Sequence, residues 1–167
     1  MPRRDEISTT AEAHEASALR YAGVVHTDPD TPATCEQKPL PEPMTRKPYV
    51  EKTPAQWAYE RLILYIRNFE SQLDAEHEVV LGFAGSDAGV LQIEGIGYFE
   101  PDIVTFYGSD EGGRKTQLIQ HVGQLNVILR AIPRGDADDP PRRIGFRLAV
   151  ELEDSAGDRP EEHDPRA

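Results

Sequence analysis

Cysteine is nearly absent: Cys35 is the only one, so no internal disulfide forms and the paired thiolates of a zinc knuckle are missing. No run approaches the roughly 20 apolar residues that a membrane helix needs. The basic pair Arg3-Arg4 is followed by Asp, Glu, Thr and His rather than by an apolar signal segment. These absences predict a reduced, cytoplasmic protein. Positive charge is also scarce, with 18 Lys and Arg against 30 Asp and Glu, a net charge of -12. That balance disfavours non-specific duplex binding, which draws most of its affinity from phosphate neutralisation.

What is present is unevenly distributed. Residues 1–48 hold seven of the 14 prolines and one of the 13 glycines, whereas residues 49–152 hold five prolines and 11 glycines. The expected organisation is a flexible proline-rich arm (1–48), a globular domain (49–153) and a disordered acidic tail (154–167). Within the arm, residues 10–22 have good helix propensity with Leu19 and Tyr21 as large apolar anchors, the pattern of a partner-binding segment.

The domain opens with a helix signal. Thr53 offers an N-cap hydroxyl, Pro54 suits the first helical position, and Gln56 is placed to reach back to the cap. Ala55, Ala58, Leu62, Tyr65, Ile66, Phe69 and Leu73 recur at three- and four-residue intervals, while Glu60, Arg61, Arg67 and Glu70 fall mainly opposite; Trp57 and Leu64 lie off the stripe. Period-two runs at 78–83, 90–98, 103–107, 116–121, 127–132 and 144–152 predict strands. Residues 117–132 also fit a helical stripe, but Gly123 and Asn126 favour two strands hinged at 122–126. Gly95 and Gly97 sit where a strand can bend sharply. The expected fold is therefore mainly β (α+β): an N-terminal helix, then a strongly bent antiparallel sheet or small barrel of five to six strands.

Two resemblances rest on these residues. From the helix through Gly95-Ile-Gly-Tyr-Phe-Glu-Pro-Asp-Ile-Val-Thr-Phe-Tyr-Gly to Gln117-Leu-Ile-Gln-His, the chain resembles an uncharacterised bacterial domain family. The order of elements over residues 53–133 resembles the Sm-like barrel of Sm proteins and the RNA chaperone Hfq. That likeness implies a ring binding single-stranded RNA. Gln120-His121 would then occupy the turn that carries a Lys-His pair in Hfq: His121 matches and Gln120 does not, while Pro101 and Asp102 stand near the position of the base-stacking aromatic.

No nucleophile signature accompanies Glu94, Glu100 or Asp102, the fixed spacing of a metal site is missing around His77, and Gly95-x-Gly97 opens no helix. Catalytic, metal and cofactor sites are therefore not expected. Arg130, Arg134, Arg142, Arg143 and Arg147 form the most basic segment. The candidate RNA or partner contacts are Gln120, His121, Arg130, Arg142 and Arg143. Two functions follow: a non-enzymatic module that self-associates through strand edges and offers its arm to a protein partner, or a ring that binds single-stranded RNA.

Overall fold

The computed structural model describes residues 22–85, 87, 89–135 and 139–157. The helix-prone segment at 10–22 lies, except for Ala22, outside them, as does most of the acidic tail. The chain divides into two compact units, Met1–Glu51 and Lys52–Ala167. In the first, Asp28 closes a turn by accepting from the Asp30 and Thr31 amides, through its side chain and its carbonyl respectively. A 3-10 turn at Cys35–Gln37 and a four-residue helix at Glu42–Thr45 follow.

The second unit contains helix α1 (Pro54–Ser71), strands β1 (His77–Phe83), β2 (Val90–Phe99), β3 (Ile103–Ser109), β4 (Lys115–His121) and β5 (Val127–Pro133), and helix α2 (Ile144–Gly157). It is an α+β fold with a five-stranded antiparallel sheet in the order β4-β3-β2-β1-β5. Thr53 caps α1 as expected, accepting from the Gln56 amide at 3.4 Å. The Gln56 side chain turns forward to Glu60 instead of back to the cap. Ile63 and Ile66 of α1 are fully buried against Leu81, Leu91, Val104 and Phe106. Each such side chain contributes roughly 1.5–3 kcal/mol relative to exposure.

Strand β2 is the bend in the sheet. Val90 and Leu91 pair with β1, residues Gln92 to Phe99 pair with β3, and the register shifts between Ile93 and Gly95. The expected bend at Gly95 is thus a β-bulge. A glycine is obligatory nearby for a different reason: a Cβ on Gly108 would collide with the Gln92 carbonyl.

Two expectations are corrected. The sheet is not closed into a barrel, because β4 and β5 are its two unpaired edges. It is nonetheless curled. In a flat sheet the edges would lie four spacings apart, about 19 Å. Six Cα steps from His121 to Val127 reach at most about 21 Å fully extended, and this link contains a 3-10 turn at Val122–Gln124, which shortens it. The second correction is that residues 144–152 form no strand. They belong to α2, which buries Ile144, Leu148 and Ala149 while leaving Phe146 and Val150 exposed. Residues 154–157, assigned to the tail, continue that helix.

Candidate functional site

His121 and Gln120 end strand β4. Asp102 Oδ2 lies 3.2 Å from His121 Nε2, and the Gly123 amide donates to His121 Nδ1 at 2.9 Å. With Nδ1 accepting, the neutral ring carries its proton on Nε2, directed at Asp102. The Val122 amide also donates to the Asp102 carbonyl at 2.8 Å. His121 is therefore a capping residue of the β4–β5 connection. Gln120 pairs with Val104 across the strands, and its Oε1 is buried without accepting a hydrogen bond.

The arginines do not gather into one patch. Arg130 is exposed on β5, at the opposite sheet edge from His121. Arg143 donates to the His77 and Asp74 carbonyls at 3.1 and 2.8 Å, and Arg134 donates to the Ala75 carbonyl at 2.8 Å. Both guanidinium groups thereby hold the α1–β1 turn, where the chain leaves carbonyls without a helical partner. Arg142 donates through its backbone to Glu78 Oε1.

The carboxylates are engaged locally. Asp74 lies 2.6 Å from His77 Nδ1, and this hydrogen bond, with the Glu76 amide, holds its carboxyl below the usual range. Glu100 accepts from the Thr53 hydroxyl at 3.2 Å. No group of three His, Cys, Asp or Glu among the described residues could hold a metal ion. Nor is any helix of the described residues long and apolar enough to cross a membrane.

Four features escaped the sequence. Lys52 and Glu60 form a buried ion pair at 2.6 Å, their side chains 1% and 6% exposed, with Gln56 donating to the other Glu60 oxygen. Trp57 stands between cations, 5.0 Å from Lys52 and 4.7 Å from Arg61 to the ring centre. Tyr59 and Tyr98 pack at 4.8 Å, and burial pushes both hydroxyls up.

The fourth is a groove of about 380 Å3 lined by Leu62, Tyr65 and Ile66 of α1 with Leu125, Val127 and Leu129. It is apolar and runs along β5, the sheet edge. Its signal was available: Leu125, Val127 and Leu129 alternate at period two, and Leu62 and Ile66 are one turn apart. What this arrangement can do is bind an apolar extended segment, since the strand beside it has one row of backbone groups unpaired.

No curated protein and no solved structure matches the chain. Residues 51–147 match the family described as Family of unknown function (DUF6173), and the chain belongs to it.

Proposed function

We propose that this member of a family of unknown function is a non-enzymatic module that self-associates through the open edges of its sheet. The observation that carries the reading is the pair of edges itself. Strands β4 and β5 are each seven residues long, and each pairs on one side only, in unbroken register. Exposed edges are usually blunted by an internal proline, a bulge or several charges. Here Pro133 ends β5 rather than interrupting it, and Leu118, Ile119, Ile128 and Leu129 occupy the middles. Such edges are competent to pair.

Self-association stands ahead of the RNA-binding alternative for two reasons. Arg134 and Arg143, part of the most basic segment, are bound to backbone carbonyls. The net charge of -12 opposes phosphate. Light scattering of the nuclease-treated full chain across a dilution series tests the reading. The expected result is a mass above the monomer that nuclease does not change. A strict monomer at high micromolar concentration overturns it, and a salt-sensitive mobility shift with single-stranded RNA would favour the alternative.

A further inference from the structure

We infer that the outer face of the sheet, the side turned away from α1, docks a second copy of the chain in a two-fold contact that is additional to edge pairing and independent of it. The register places nine outward positions in three rows across β2, β3 and β4. Phe99, Ile103 and His121 form the first row, Gly97, Thr105 and Ile119 the second, and Gly95, Tyr107 and Gln117 the third. The alternating Ile96, Val104 and Phe106 point the other way, into the core. On the outer face Phe99 is 76% exposed, Ile119 63% and Tyr107 43%. Large apolar side chains gathered on one exposed face mark an interaction site, unlike the single ones scattered over any surface.

The face is shaped to receive itself. A Cβ added at Gly95 or Gly97 would lie 3.7 or 3.5 Å from the Tyr107 ring, so that ring lies along both glycines and paves β2 with a shallow aromatic floor. Stacked sheets lie about 10 Å apart, with strand directions within about 30° of each other. A two-fold axis running across the strands through Thr105 exchanges the first and third rows. Phe99 then settles on the floor at Gly95 of the other copy, Ile103 meets Tyr107, and Ile119 meets Ile119. Phe99 and the Tyr107 ring gain an aromatic contact in each direction.

Charge favours a like copy and this axis. In a chain of net charge -12, none of the nine positions carries an acidic side chain, so two copies meet here without opposing carboxylates. At the rim the same operation carries Lys115, at the start of β4, towards the Asp102–His121 pair of the other copy. Glu100 is held towards α1 by the Thr53 hydroxyl. The other in-plane axis, along β3, would set Asp102 against its own copy, an unfavourable like-charge contact. Because the sheet curls, only the strands beside β3 can meet a partner. Such a footprint falls at the small end of specific interfaces, about 1,000 Å2 in total, so the dimer should dissociate on dilution.

Thiol cross-linking of the full chain tests this in a Cys35→Ser background. The axis passes through Thr105 and Ile119, so Thr105→Cys and Ile119→Cys should each form a dimer alone with a bismaleimide whose reach matches the ~10 Å between stacked sheets. Edge pairing leaves Thr105 at least three strand spacings from its mate, about 14 Å, beyond that reach. Adding Phe99→Asp to Thr105→Cys should raise the concentration for half-cross-linking roughly 30-fold, the effect of losing one hot-spot aromatic. The urea midpoint should not move, because Phe99 is exposed and lies on a central strand. Phe99→Ser, which adds no charge, should act in the same direction. A Thr105→Cys variant that stays uncross-linked, or whose yield neither Phe99 substitution changes, overturns the inference. Cross-linking of Ile128→Cys on β5 alongside that failure leaves the edge reading standing. Cross-linking at Thr105 but not at Ile119 assigns the axis along β3 and overturns this arrangement.

Discussion

Lys52 and Glu60 are worth more to each other than to the fold. Removing two charges from water is costly, and their mutual attraction, helped by Gln56, mainly offsets that cost. Lys52→Met alone should destabilise by about 3–5 kcal/mol, because it strands a buried carboxylate. The double variant Lys52→Met/Glu60→Leu should lie much closer to the parent in urea unfolding. Equal losses in the single and double variants would contradict this. Glu70 is buried too, and both of its oxygens accept from the first amides of α2, Gly145 at 3.0 Å and Phe146 at 3.1 Å. Asp110 accepts from the Arg114 and Gly112 amides and from the Arg114 guanidinium, which hold its carboxyl below the usual range. A depressed native value means that its contribution is present above the unfolded carboxylate midpoint, near pH 4, and is lost as pH falls through the native one. An NMR titration should find the Asp110 midpoint below that of a free aspartate; a midpoint at or above it refutes the hairpin geometry.

At the scale of elements, the sequence announced those whose stop and start signals are local. Thr53-Pro54 begins α1, Gly95 marks the bulge of β2, and residues 117–132 divide into β4 and β5 as the glycine and asparagine suggested. Helix α2 was misread because Ile144, Phe146, Leu148 and Val150 alternate, while its cap comes from Glu70, far away in sequence. The discriminating positions were Ala149 and Leu152, which complete a helical stripe with Leu148. Phe69, on the apolar stripe expected of α1, and Ile103, at the start of β3, are only half-buried. Of the candidate site, the groove's residues were visible but their meeting was not, since Leu62 and Leu129 come together only through the tertiary fold. A pair of substitutions tests the helix. Leu148→Ala should cost roughly 2–5 kcal/mol and Phe146→Ala no more than about 0.5 kcal/mol. Similar losses at both would restore the strand. Gly145 has a separate duty: a Cβ there would lie 2.7 Å from the Arg67 Cα, so the two helices touch backbone to backbone.

For the whole molecule, the net charge of -12 sets the response of assembly to salt. Copies that dock edge to edge through apolar side chains must first approach against like charge. The screening length falls from about 10 Å at 0.1 M to about 3 Å at 1 M, so association should strengthen as salt rises. RNA binding would weaken instead, through counterion competition. Light scattering at low and high salt therefore separates the two readings by sign, and a mass that falls with salt would speak against the apolar edge.

The pairing of β1 with β5 joins residues 77–83 to residues 127–133, so everything from β2 to β4 is folded inside a loop that this one contact closes. Strands β2, β3 and β4 are neighbours in sequence and can zip as consecutive hairpins, whereas β5 must wait for the chain to return. The expected order of events is meander first, closure last. Leu129→Ala should speed unfolding and leave the refolding rate nearly unchanged, while Phe106→Ala should slow refolding, as chevron plots of the two variants would show. Strand β5 is then also the last to be placed, and until it arrives the β1 edge stands open to pairing with another strand.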